Sequence, residues 1–549
     1  MKSLIILIVA FIIGMFFVPQ TQTFAQAADT VWVNTMPIGN INDFINGDTT
    51  SSGARVNPNR VYKLHRDSIY FYTGYINANF KLTLIAGDGN GPMPVIAPAI
   101  LENGSSPAIF IILAKGGLTL KNLYLFGIRP DEKPAPGGRV VWTTGDSMKI
   151  YVDHCIFDGW NFGAIFNHGI WNSYWITNNK FRNMMDYRSW FWGDSFFSYG
   201  APYSTDTLYI VNNTIFNCEG YAFVSVYYNH YTLFDHNTVF LNGINPMYSF
   251  NLTNAKITNN IFYGMVAQGQ RHVEIDGGWF ENNGQMAAVF TLDTLRRVAA
   301  DLGIKEDQRY VNLDNNAYFW PQGILNNWKT INDTASSADS VFLPVWLNQR
   351  TIKMFTDKNT WPHLEASNNL NVDPGFNTAL ADTTVGSLTH YVFLNRSGQL
   401  GTYLWWYNPT GHVYPPTQPI PENLKYSNTS LQHAGTDGKA LGDLNWFPDQ
   451  LVAVDETSDL IPTRFELSQN YPNPFNPTTQ INYSVPQSSF ITLKVYNVLG
   501  QEVATLFSGV QTAGKHIATF DASKYSSGVY FYRLQSGNFI SVKKMMLLK

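Results

Sequence analysis

Only two cysteines, Cys155 and Cys218, occur among 549 residues, so the fold is not built on disulfides. Charge is scarce too. Asp, Glu, Lys and Arg make up 14% of the chain and the net charge is -4, against about 25% charged residues in a typical globular protein. No Lys/Arg cluster offers a phosphate-neutralising surface, which argues against a nucleic-acid partner. Zinc-spaced Cys/His groups, GxxxxGK[ST], HExxH and Gly-x-Ser-x-Gly are all missing, and with them the chemistries those spacings serve. No apolar run reaches the roughly 20 residues of a membrane span. The longest, LIILIVAFIIGMFFV at 4–18, follows Lys2 and precedes the small-residue site AQA at 25–27. Those three parts make a secretory signal peptide over residues 1–28 and predict an exported chain.

What is abundant is aromatic: 15% of the residues are Phe, Trp or Tyr. A phrase recurs around seven phenylalanines, Phe126, Phe157, Phe181, Phe216, Phe240, Phe262 and Phe319, spaced 31, 24, 35, 24, 22 and 57 residues apart. The base period is about two dozen residues, with insertions. Three residues before each Phe stand Leu123, His154, Asn178, Asn213, Asn237, Asn259 and Asn316. Short alternating runs such as LTL, IYV, YWI and LYI precede each phrase and read as strands. Leucine-rich repeats need a Leu-x-x-Leu-x-Leu frame, and helical repeats need a 3.6 period; neither is present. The expected fold is therefore all-β, a right-handed parallel β-helix with equivalent residues about 4.8 Å apart from coil to coil. Stacking would align the Phe rings as an internal column and let the Asn amides bond one another and the turns. Cys155 and Cys218 then sit two coils apart, roughly 9 to 10 Å along the axis. That exceeds the reach of a disulfide, about 7 Å between Cα atoms, and predicts two free, buried thiols.

TLDTLRRVAADLGIKEDQ, at 291–308, carries apolar residues at helical spacing and predicts one inserted helix near 291–303. Expected boundaries are an N-terminal cap at 29–60, the solenoid at 61–375 and a Pro-, Trp- and Tyr-rich flank at 376–458 that packs on the solenoid. NNLNVDPGF, at 368–376, resembles the closing segment of many secreted parallel β-helix proteins, and the solenoid resembles the pectate-lyase-like superfold.

From 461 to 549, short alternating runs between Pro, Gly and Asn turns predict a small antiparallel sandwich. YPNPFNPTT at 471–479, VYNVLGQEV at 495–503, SGVYFYRL at 527–534 and the pair Lys543–Lys544 resemble the type A sorting domain of the type IX secretion system. That resemblance implies delivery through the outer membrane of a Bacteroidetes- or Ignavibacteria-type bacterium to the cell surface or medium, with the secretion machinery as partner. It implies nothing about the cargo's activity.

The chemistry is sought where insertions flank the coil of Phe157: RPDEKPAPGG at 129–138, and DYRSWFWGDSFFSY at 186–199. Candidate sugar-binding residues are Tyr187, Trp190, Trp192, His168, Trp171 and Tyr228, whose rings suit pyranose faces. A polysaccharide lyase needs a base and a cation opposite a uronic carboxylate, for which His230 or Tyr187 and Arg188 or Arg271 are available. A glycoside hydrolase needs two carboxylates about 5 to 10 Å apart, and Asp194 with Glu274 is the candidate pair. The aspartate motifs of β-helix polygalacturonases and the calcium and arginine signature of pectate lyases are absent. The sequence therefore leaves open a non-catalytic glycan-binding or adhesive solenoid. No cofactor is expected; RHVEIDGGWFENN at 271–283 is acidic enough for a structural calcium but lacks the ligand order of an EF-hand. A polysaccharide is the expected partner and a monomer the expected state.

Overall fold

The computed structural model describes residues 29–548, apart from 36–40, 108–109, 136–137, 161–162, 185–194, 201, 226, 250, 272–287, 296–300, 337–339, 397–398, 400–405, 410–413, 452–464, 471, 486–488, 512–513 and 538. Strands wind through three parallel sheets. One coil, for example, consists of Lys149–Asp153 in the first sheet, Ile156–Asp158 in the second and Ile165–Asn167 in the third. Among the described residues the first sheet has eleven strands, from Thr30–Val33 to Leu364–Ser367. The second has ten, from Ile69–Tyr72 to Leu370–Asn371, and the third seven, from Ile76–Ala78 to Met247–Ser249. Each strand pairs in parallel with its equivalent one coil away, so the architecture is a solenoid consistent with a right-handed β-helix. Inward residues of all three sheets form one continuous apolar core.

The turn between the first and second sheets is where asparagine acts. Asn178, Asn212, Asn259, Asn315 and Asn368, with His154 and His236, adopt positive φ between 50° and 59°, a conformation Asn tolerates better than most residues. The next residue points inward. Asn179, Asn213, Asn237, Asn260, Asn316 and Asn369 form a ladder in which each side-chain amide donates to the oxygen of the following one at 2.9–3.2 Å. The same amides also donate to backbone carbonyls of the preceding coil, so polar groups at the core edge are satisfied.

This corrects the expected register. Phe181 lies opposite Ile215, and Phe216 lies opposite Arg182; Phe262 lies opposite Val239, and Phe240 opposite Tyr263. The seven phenylalanines therefore do not form one internal column. Phe157, Phe181 and Phe262 face inward, whereas Phe126, Phe216 and Phe240 occupy the outer face of the second sheet. A shift of one residue reverses the side chain's face because a strand alternates with period two. The same slip misplaces Asn178 and Asn259, which are turn residues rather than ladder residues. Cys155 and Cys218 are both free and buried, and Cys218 pairs with Met184 and Asn242, away from the Asn179 level of Cys155.

The outer column of the second sheet is buried because the C-terminal flank covers it. Arg182 there is fully sequestered and ion-pairs with Asp158 and with Glu422 of the flank, the latter through Nε and Nη2 at 2.8 and 2.9 Å. Tyr124 and Asn183 donate to the two oxygens of Asp158 at 2.7 and 2.9 Å. Farther along, Thr214 donates to Asp443, and the Lys180 ammonium sits 3.5 Å above the Trp446 ring.

The helix expected near 291–303 falls partly outside the described residues: 291–295 are irregular, 296–300 are not described, and 301–302 are helical. Further described helices occur at Ile41–Asn46, Gln322–Thr334, Gln349–Thr356 and Thr378–Arg396. In the second of these the buried pair is Ile324 and Trp328; an i, i+4 pair set among Asn, Gln and Thr gives a weak helical signal. No helix among the described residues is long and apolar enough to cross a membrane.

The C-terminal unit is an antiparallel sandwich of a three-stranded and a four-stranded sheet. It has its own core, including Ile481, Leu493, Val495, Tyr532 and Leu547.

Candidate functional site

Third-sheet strands are short, and each offers about one outward side chain. In register, these are Asn77, Leu113, Trp142, Phe166, Ser198 and Val224. Flanking residues widen the apolar stretch into a ribbon of rings. Tyr75 lies 4.9 Å from Phe110, Phe110 5.2 Å from Trp142, and Trp142 6.1 Å from Phe166 and 5.2 Å from His168. His168 then stacks on Tyr203 at 4.4 Å with an interplanar angle of 15°. The ribbon crosses five coils, or about 19 Å at the parallel-strand spacing. Phe110, Trp142, Phe166, His168 and Tyr203 are all half-buried, with ring area left open to solvent.

One cation is embedded in the ribbon. The Arg139 guanidinium lies 4.3 Å from the Phe166 ring centre and 5.4 Å from that of Trp142, and burial pulls its pKa down to about 10. Burial first, and the Arg139 charge second, lower the pKa of His168 below its ordinary value. The ribbon therefore pairs an imidazole held neutral near pH 7 with a nearby positive charge.

A second group occupies the edge where the third sheet turns into the first. His230 Nδ1 lies 3.1 Å from Asp206 Oδ1, one coil away. Ser173 and Thr207 hydroxyls also donate to Asp206, at 3.2 and 3.1 Å. Burial pushes the Asp206 carboxyl up, but the His230 contact and the two hydroxyls hold it below its usual range. Tyr228 stacks toward His230 at 6.4 Å and meets Trp171 edge-on at 5.5 Å. Trp171 is 41% exposed, leaving one face available. Tyr227 donates to Asp301, which brings the inserted segment to this edge.

Of the residues expected in a site, His168, Trp171, Tyr228 and His230 are therefore gathered at one turn of neighbouring coils, with His168 on the ribbon and the others beside it. Tyr187, Arg188, Trp190, Trp192, Asp194 and Glu274 lie outside the described residues. The described strands on either side of 185–194 are Lys180–Met184 of the second sheet and Phe197–Tyr199 of the third. Gln270–Arg271 pairs antiparallel with Val341–Phe342 in a separate two-stranded sheet, outside the stack of third-sheet strands. Arg139, Trp142, Phe110, Phe166 and Tyr203 were not anticipated. Strand Arg139–Thr143 begins just after the insertion at 129–138, and its burial pattern lacks the strict alternation that marks a half-buried strand in sequence. Asp206 was also missed; its signal is its separation of 24 residues from His230, one full period.

Among the described residues, no three His, Cys, Asp or Glu side chains converge as metal ligands, and most of the acidic run at 271–283 lies outside them.

No curated protein matches this chain. Residues 469–548 match the family model of the secretion system C-terminal sorting domain, so the sandwich is a sorting domain, which supports secretion or surface localisation of the chain.

Proposed function

We propose that the solenoid is a secreted carbohydrate-active protein that lays a polysaccharide along the ribbon of the third sheet and cleaves it there. The observation that carries this reading is the file of exposed and half-buried rings from Tyr75 to Tyr203. Pyranose rings in an extended chain advance by nearly the coil-to-coil distance, so successive sugars meet successive coils, and ring faces supply apolar contact to their C–H surfaces. The architecture agrees with that of β-helix proteins acting on polysaccharides, although fold by itself carries no activity.

His168 beside Arg139 favours a lyase. A neutral imidazole takes the proton from the carbon next to a uronic carboxylate while the guanidinium holds that carboxylate; the electron pair forms the C4–C5 double bond as the C4–O glycosidic bond breaks, and the departing oxygen takes a proton from water. His230, oriented by Asp206, is the second candidate base. Tyr187, Arg188, Trp190, Trp192 and Asp194 are proposed as the wall of the groove, and Arg271 and Glu274 as further members. The hydrolase pair Asp194 and Glu274 belongs to the alternative chemistry. A monomer suffices for either.

Incubating the mature chain with acidic and neutral polysaccharides separates the cases. Unsaturated-product absorbance together with new reducing ends identifies a lyase, and reducing ends alone a hydrolase. Binding with neither identifies a non-catalytic glycan-binding solenoid. Trp142→Ala is expected to weaken glycan binding about tenfold or more; unchanged affinity in a folded variant would remove the ribbon from the site.

A further inference from the structure

The ribbon ends in a cleft. Beyond strand Ile76–Ala78, helix Ile41–Asn46 packs Ile41 and Ile45 into the end of the solenoid core, and with residues 49–55 it borders an open cleft of about 700 Å³. Tyr75 lines this cleft and also begins the ribbon through its contact with Phe110. Asn77, in the cleft wall, heads the outward column that continues through Leu113 to Trp142. Cleft and ribbon are therefore one continuous surface.

The lining is polar and almost uncharged. Asn42 and Asn46 are committed to the backbone: Asn42 accepts from the Thr73 amide, and Asn46 accepts from the Asn77 amide while donating to the Tyr75 carbonyl. They fix the wall. Asn77 and Asn79 are exposed, and among the described residues no hydrogen bond engages their side-chain amides. Among the described lining residues Arg55 carries the one charge, and its two Nη groups are engaged. It donates to the Ile45 carbonyl and to Tyr62, pairs with Asp48 at 3.6 Å, and lies 3.9 Å over the Phe80 ring.

We infer that this cleft is a terminal subsite that holds one uncharged sugar residue at the end of the bound chain. This rests on the ribbon being the glycan track. Paired amides of Asn77 and Asn79 match the donor and acceptor hydroxyls of a neutral pyranose, and Tyr75 offers it a ring face. The one cation among the described lining residues, Arg55, already faces the Asp48 carboxylate, which disfavours a carboxylate or sulfate there. Arg139 lies two coils farther along, so a charged sugar is accommodated about two residues away from the uncharged end.

The test measures binding of the mature chain by calorimetry, with neutral β-linked gluco- and manno-oligosaccharides and with oligogalacturonates and oligomannuronates, each of two to six residues. Asn77→Ala/Asn79→Ala is expected to lower affinity for the longest bound oligosaccharide about tenfold and to abolish its advantage over the form shorter by one residue, with the thermal midpoint unchanged. If Trp142→Ala weakens binding and the double Asn variant does not, the track stands and the terminal subsite is wrong. If no oligosaccharide or polysaccharide binds, both fail. An oligouronate whose terminal acidic residue makes Asn77 and Asn79 indispensable would overturn the uncharged specificity. Should the double variant unfold early, Asn77→Asp and Asn79→Asp singly replace it: a preserved fold with lost length dependence supports the subsite, and retained length dependence opposes it.

Discussion

At the scale of single residues, Arg182 shows how one register shift changes a side chain's task. Its neighbour Phe181 points into the core, while Arg182 faces the flank and is held between Asp158 and Glu422. Replacing Arg182 by Met leaves two buried carboxylates without their cation, and a loss of about 3–5 kcal/mol is expected in denaturant unfolding. Asn213 bridges three coils, accepting from Asn179 and donating to Asn237 and to the Ile176 carbonyl. Asn213→Ala strands buried donors and acceptors and is expected to cost about 1–3 kcal/mol in the same measurement. His168 gives a pH signature. Its folded pKa lies below the ordinary 6.5, so acid protonates the unfolded chain first. The corresponding stability is complete above 6.5 and is lost as pH falls from there through the folded value. An NMR titration of the His168 ring is expected to show a midpoint under 6.5, and Arg139→Gln to move it upward.

At the scale of elements, the three sheets divide the work. The first carries the Asp206–His230 pair at its edge, and the second is buried beneath the flank. The third, whose strands are mostly three residues long, displays the ribbon. The strands of the first sheet were legible because runs such as KIYVD alternate over five residues. Those of the third were not: IFN and FSY each contain a single outward position, and only pairing with neighbouring coils reveals Trp142 and Phe166 as one surface. Phe216 and Phe240 were legible as repeats but not as outward-facing, since an apolar residue covered by a distant segment reads the same as one in the core.

At the scale of the whole molecule, the sandwich has a core separate from that of the solenoid. A chain ending at Gln450 is expected to retain the solenoid's unfolding transition and its glycan affinity while losing type IX export; loss of the cooperative transition would show that the sandwich supports the solenoid. The flank behaves oppositely. Glu422 and Asp443 are contributed to the buried surface of the second sheet, so truncation before residue 414 exposes Arg182 and the outer phenylalanines and is expected to yield aggregated protein.

By itself the sequence determined the repeat, the all-β solenoid, the unpaired cysteines and the sorting domain, because periodicity and local turn chemistry are written in neighbouring residues. Tertiary structure decided which phenylalanines face the core, which asparagines form the ladder, and that Tyr75, Phe110, Trp142, Phe166 and Tyr203 share one face. Those facts depend on coil-to-coil register and on a flank more than two hundred residues away from Arg182, and pairing across such distances leaves no periodic trace along the chain.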